Sequence, residues 1–375
     1  MIFFDNASTT KCTPESVLIV NKYLTDEYFN PSALYHNALT IKQDMERVRQ
    51  NILKKLRGEG KIVFTGGGTE SDNLALLGSK KIKGGRVIVS SAEHAAIYAT
   101  ANELKARGFD VVFAPVDGYG KVDEEEFIKL LTPSVTLVSI IHVNNETGAI
   151  NDIARLCKLV KSKCPKALFH SDGVQAFGKL EVNLRGAGID LYSMSAHKIG
   201  APKGVGALYI AKGVSVNPIV FGGGQEGGLR SSTENTAGIM AYEKAVIDRY
   251  ATLADTKRKL SEIRNYIADN LKNIEGIKFL SPLEGSPYIL TFSVPRVRGE
   301  VMQHALERRG IMVGTGSACS SNKASTRIAE ALGLQGKYVD GVTRISFFID
   351  NTMEEAEIFV KEYLQVYKEL EKYGS

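Results

Sequence analysis

Between residues 60 and 211, short apolar, β-rich runs alternate with stretches of helical periodicity, and few layer arrangements satisfy that order. The runs are KIVFTG, RVIVSS, DVVFAPV, TLVSIIHV, ALFHSD, LYSMSA and GALYIA. Most are too apolar for a sheet with one wet face, so helices must cover both faces. Helical stretches fall between them over 69–78, 93–107, 123–131 and 152–163. The expected fold class is α/β, a mostly parallel seven-stranded sheet flanked by helices. LYSMSA and GALYIA are joined by a loop too short for a crossover helix, which makes that pair antiparallel.

The pattern changes after residue 250. A long charged helical run over 252–273 leads to IKFLS, YILTFSV, a helix over 300–309, IMVGTG, TRISFF and a final helix. This predicts a smaller α+β C-terminal domain over 251–375, with residues 1–12 packed on it, beside a large domain over 13–250. A chain of 375 residues can support both cores.

With 43% hydrophobic and 24% charged residues the chain is not of the disordered class, and a net charge of +5 without basic blocks is too weak to argue for nucleic-acid binding. No apolar run approaches a membrane span, and MIFFDNASTT turns polar at Asp5, unlike a signal peptide. Cys12, Cys157, Cys164 and Cys319 show neither paired nor zinc-site spacing. Free thiols, a cytoplasmic location and no metal are the expectation, with Cys157 and Cys164 structural.

In open α/β sheets ligands bind beyond the carboxyl ends of the strands. KIVF runs into Thr65-Gly66-Gly67-Gly68-Thr69, RVIVSS into Glu93-His94, TLVSIIHV into Asn144-Asn145, ALFH into Asp172, and LYSM into Ser195-Ala196-His197-Lys198. The glycine loop lacks both GK[ST] and G-x-G-x-x-G, and suits a single phosphate at a helix start, with the Thr69 hydroxyl as an added donor. One phosphate cradle, an aspartate, a histidine and a lysine between strands together suggest pyridoxal 5'-phosphate. Lys198 would condense with its aldehyde, and Asp172 would keep its pyridine nitrogen protonated.

The motifs FDNASTT, TGGGTESDN, AEHAAI, VNNETGAI, HSDGVQAFGKL, SMSAHKIGAPKGVGALYI, GGGQEGGLRSSTENTAGI, GTGSACSS and TRISF, in this order, span essentially the whole chain. The chain thereby resembles the cysteine desulfurases, a branch of the class V aminotransferase superfamily with the type I fold of pyridoxal-phosphate-dependent transferases. The resemblance implies that Lys198 is the cofactor lysine, Asp172 the pyridinium partner, and Gln175 and Asn145 the hydrogen-bonding groups around the phenolic oxygen. It implies that His94 stacks on the ring and assists proton transfer. Gly68, Thr69, Ser195 and His197 would hold the phosphate, joined by Thr233 from the neighbouring subunit of a homodimer. Arg344, with Asn145, would bind the carboxylate of L-cysteine. Cys319 would take the substrate's sulfur as a persulfide, release L-alanine and pass the sulfur to an acceptor protein, for iron-sulfur cluster assembly, tRNA thiolation or a similar use.

Two positions depart from the family's pattern E-R-G-x-R-S-G-T, where this chain has Gly227 and Ser232. A selenocysteine lyase or another class V enzyme is the alternative, and a non-catalytic assembly scaffold a further one. Intact Lys198, Asp172, His94 and Cys319 speak against the scaffold.

Overall fold

The computed structural model describes residues 1–79, 84–315 and 323–373. Its strands are β1 (Ile2–Phe4), β2 (Gly60–Thr65), β3 (Arg86–Ser90), β4 (Asp110–Ala114), β5 (Val135–Ser139), β6 (Leu168–Asp172), β7 (Leu191–Ser195), β8 (Gly206–Ala211), β9 (Lys278–Phe279), β10 (Ile289–Ser293), β11 (Ile311–Val313) and β12 (Val342–Ser346). Among the described residues, seven strands form the main sheet in the order β2-β8-β7-β6-β5-β3-β4. Pairing is parallel from β4 through β7, whereas β8 runs against both of its neighbours. The short connection carrying Lys198 thus joins an antiparallel pair, as its length requires.

Successive residues of each strand point to opposite faces. Ile62, Phe64, Ile88, Val138, Phe169, Tyr192 and Met194 pack into one core with residues of the helices His36–Leu56, Ile153–Lys163 and Thr236–Ala251. Their neighbours Val63, Val87, Val89, Leu137, Leu191 and Leu208 enter another core with the helices Gly68–Leu77 and Ala95–Ala106. Each fully buried aliphatic side chain of this kind contributes about 1.5–3 kcal/mol, which is why the strands read as continuous apolar runs.

A further core gathers β10, β12 and the helices Leu253–Leu271, Gly299–Glu307 and Met353–Leu370, together with Ile2, Phe4 and Ala7. There β1 pairs in parallel with β11, and the Phe4 ring meets Phe347 edge-on at 5.2 Å. Asp5 bridges to Ser346, which carries the N-terminal segment past the end of β12 toward the main sheet.

Several elements differ from expectation. TLVSIIHV leaves the ladder after Ser139, and the 93–107 helix begins only at Ala95 because His94 caps it. Pro14–Thr25 and His36–Leu56, which the alternation did not signal, are helices. No helix among the described residues is long and apolar enough to cross a membrane.

Candidate active site

A cavity of about 400 Å³ opens at the carboxyl ends of β2, β3, β5, β6 and β7. It is lined by Gly68, Thr69, His94, Asn145, Asp172, Gln175, Ser195, His197, Lys198 and Arg344. Nearly all the site residues expected from the sequence therefore converge on one space. Thr233 stands apart, exposed in the loop before the helix Thr236–Ala251, and Cys319 lies outside the described residues.

The phosphate end is formed by the start of the helix Gly68–Leu77, whose first amides have no partner within the helix and whose dipole favours an anion. A Cβ added at Gly68 would come 2.7 Å from Val174 Cγ2, and one at Gly206 on β8 would come 2.5 Å from the carbonyl carbon of Gly67. Only glycine permits this approach of loop and strand. Ser195 Oγ is buried here with no hydrogen-bond partner, and His197 Nδ1 meets Thr9 Oγ1 at 3.1 Å. Burial and the surrounding lysines push the His197 imidazole down to about 4, so it stays neutral at physiological pH.

At the opposite end Asp172 is buried on β6, with its Oδ1 accepting from Val174 N at 2.9 Å. Burial pushes its carboxyl up, while His94 and Lys198 pull it down. A pyridinium N–H would supply the positive charge that this buried carboxylate lacks. His94 is the N-cap of Ala95–Ala106 and also lines the cavity; its Nδ1 accepts from Ala96 N at 3.2 Å, which leaves Nε2 to carry a ring proton.

Lys198 ends the 3-10 turn Ala196–Lys198 between β7 and β8. Its Nζ donates to the carbonyls of Ala7 and Ser8 at 2.7 and 2.6 Å. Burial, reinforced by Arg344, lowers the amine to about 8, so a useful fraction is unprotonated and nucleophilic near neutral pH. Asn145 Oδ1 is buried without a partner, a second unsatisfied atom on a residue that lines the same space. These orphaned atoms, the glycine cradle and the lysine fit a small ring bearing one phosphate and one aldehyde.

Three participants were not singled out in the sequence. Arg344 on β12 is held by Asp5 Oδ1 at 3.0 Å and Glu146 Oε2 at 3.2 Å, so the arginine sits between two carboxylates. Asp72 is buried beside Asp172, and one side-chain atom each from Asp72, His94 and Asp172 lie within 4.8 Å of one another. Glu146 and Asp72 stand inside the quoted VNNETGAI and TGGGTESDN motifs, and a search for carboxylates near expected cations would have marked them. Cys157 and Cys164 are buried, and burial pushes the Cys157 thiol up to about 12, so neither supplies a thiolate.

A cavity of this kind on this sheet belongs to the fold type I class of pyridoxal-phosphate-dependent enzymes. The family described as "Aminotransferase class-V" matches residues 2–359, and the chain belongs to it. It is 36% identical to "Cysteine desulfurase IscS" of Clostridium botulinum, over 98% of this chain and 94% of that one. It is 37% identical to "NifS/IcsS protein homolog" of Lactobacillus delbrueckii subsp. bulgaricus, over 99% of this chain and 98% of that one. The solved structure of a "NIFS-LIKE PROTEIN" superposes with a TM-score of 0.91 at 33% identity, covering 98% of this chain and all of the other.

Proposed function

We propose that this chain is a cysteine desulfurase, dependent on pyridoxal 5'-phosphate, that converts L-cysteine to L-alanine and carries the released sulfur as a persulfide on Cys319. The observation that carries this reading is Lys198 facing Asp172 across a cavity whose far end is a glycine cradle with an unpartnered Ser195 hydroxyl. Pyridoxal phosphate supplies, when bound, an aldehyde that takes up an amine and a ring that withdraws electrons from the attached substrate.

The residues of the chain do the rest. Thr69, Ser195, His197 and the amides after Gly67 hold the phosphate, with Thr233 of a second subunit added in a homodimer. Asp172 keeps the ring nitrogen protonated, and Gln175 donates toward the phenolic oxygen, with Asn145 beside it. His94 lies against the ring and moves a proton at its Nε2. Arg344 and Asn145 orient the substrate carboxylate by directed hydrogen bonds. The thiolate of Cys319 attacks the substrate sulfur, the carbon–sulfur bond breaks, and the substrate carbon takes a proton as alanine leaves. Large and small domains over 13–250 and 251–375, with 1–12 on the latter, frame the cavity. A sulfur-acceptor protein receives the persulfide sulfur in a cytoplasmic setting.

The test is alanine release with mass spectrometry after incubation with L-cysteine and no reductant. One added sulfur is expected on the peptide containing Cys319, and Cys319→Ser should keep the visible absorbance and bind cysteine without releasing alanine. Added sulfur on Cys12, Cys157 or Cys164, or wild-type alanine release by Cys319→Ser, refutes the assignment.

A further inference from the structure

Lys179 is a buried lysine with no role in the chemistry above. It is 2% exposed and lies one helical turn beyond Gln175, in a segment wound by the bonds Ala176 N to Gly173 O and Lys179 N to Ala176 O. Its Nζ is 5.3 Å from the centre of the Tyr288 ring and 2.7 Å from Gln175 Oε1, the hydrogen-bond acceptor it finds among the described residues. Burying an ammonium costs several kcal/mol unless something offsets it, so a lysine held here on one amide oxygen calls for an explanation.

We infer that Lys179 is a positioning residue that fixes which face of the Gln175 amide meets the cofactor's phenolic oxygen. A glutamine amide has a donor end and an acceptor end of nearly the same shape, and either can be turned toward a ligand. The Lys179 amine, an ammonium below about pH 7, donates to Oε1 and leaves the NH2 group facing the other way. That group donates to Ala7 O at 2.9 Å, the carbonyl that also accepts from Lys198 Nζ at 2.7 Å. Its second N–H is thereby left for the cavity, where an anionic oxygen would find a donor and not a carbonyl. Without Lys179 only the Ala7 carbonyl holds that orientation, and the amide is freer to turn over and present like to like. The titratable groups bearing on Lys179 are Lys198, which adds to burial in lowering it to about 7, His197, whose imidazole it helps to push down, and the phenol of Tyr288 beneath it.

This inference rests on the placement of Gln175 at the phenolic oxygen, and the experiment separates the two. The pH midpoint of the holoenzyme's visible absorbance is measured for wild type, Gln175→Ala, Lys179→Met and the double variant. An N–H donor stabilises the anionic oxygen, so both single variants should raise the midpoint by about one pH unit. In the Gln175→Ala background Lys179→Met should then change nothing, because its effect passes through the amide. Gln175→Glu, which keeps an acceptor for Lys179 but has no N–H, should raise the midpoint at least as far as Gln175→Ala, and it tests the idea without altering Lys179. A midpoint moved by Gln175→Ala but not by Lys179→Met overturns the role of Lys179. So does an equal shift from Lys179→Met in both backgrounds, which would mark a direct charge effect, or a wild-type midpoint in Gln175→Glu. If Gln175→Ala itself leaves the midpoint in place, the placement of Gln175 falls and this inference with it.

Discussion

Arg344 Nη2 lies 3.0 Å from Asp5 Oδ1, a bond between residues 339 positions apart, and Nη1 of the same guanidinium reaches Glu146. The arginine expected to bind substrate is therefore also the ion that neutralises two carboxylates at the junction of β12, the N-terminal segment and the loop after β5. Arg344→Ala should remove the guanidinium that Asp5 and Glu146 share and lower stability by about 3 kcal/mol, the low end for breaking a buried ion cluster because Asp5 is partly exposed. Urea unfolding of the apoprotein checks this, and a wild-type midpoint would show that the cluster contributes nothing. Arg344→Lys should unfold nearly normally yet show a KM for cysteine raised about tenfold, since one ammonium cannot replace the forked contact.

The amine of Lys198, lowered to about 8, predicts how fast the apoprotein captures pyridoxal phosphate as pH changes. Only the unprotonated amine attacks an aldehyde, so the capture rate should climb through a midpoint near pH 8 and level off above it. Stopped-flow absorbance gives the profile. Lys198→Ala should show no capture at any pH, and a wild-type profile that is flat from pH 6 to 10 would contradict the lowered amine.

Ser232 has φ 127°, a backbone region that side chains other than glycine rarely adopt, at a position where relatives of the cysteine desulfurase pattern carry glycine. Strain of about 1–3 kcal/mol outweighs the roughly 0.4–1 kcal/mol of extra chain entropy that glycine adds to the unfolded state. Ser232→Gly should thus stabilise the protein by about 1 kcal/mol, read as a higher thermal or urea midpoint. A lower midpoint would mean that the strain is not there.

If Thr233 serves the partner's cavity, two crippled chains should repair each other. Thr233→Ala and Lys198→Ala homodimers should both turn over poorly. Co-expressed, they should regain activity, because one cavity of each mixed dimer then has its own Lys198 and the partner's Thr233. Absence of recovery in isolated mixed dimers would place Thr233 outside the site.

The main sheet was legible because β3 and β5 to β8 are buried on both faces, and that burial writes itself as nearly uninterrupted apolar runs. The site was legible for a related reason: strand ends must carry polar residues only where something polar is to be bound, and Asp172, Ser195 and Lys198 follow directly on apolar strands. What stayed hidden was of two kinds. Helices such as His36–Leu56 lie outside the alternation and bury only one stripe, which a charged sequence disguises. Asp5 and Glu146 acquire meaning from Arg344, far along the chain and on another element, and no local pattern reports such a partner. His94 shows that the modest reading and the functional one can both hold, since it caps a helix and lines the cavity at once.

The parallel pairing of β1 with β11, and the hold of Ala7 and Ser8 on Lys198, set an order of events during synthesis. Domains form from the N-terminus as a chain leaves the ribosome. Here the first residues to emerge are among the last to find their places, because their partners are translated some three hundred codons later. The nascent sheet can assemble, and Gln175 and Lys198 can already hold the Ala7 carbonyl, while β1 itself stays without its ladder until β11 has been translated.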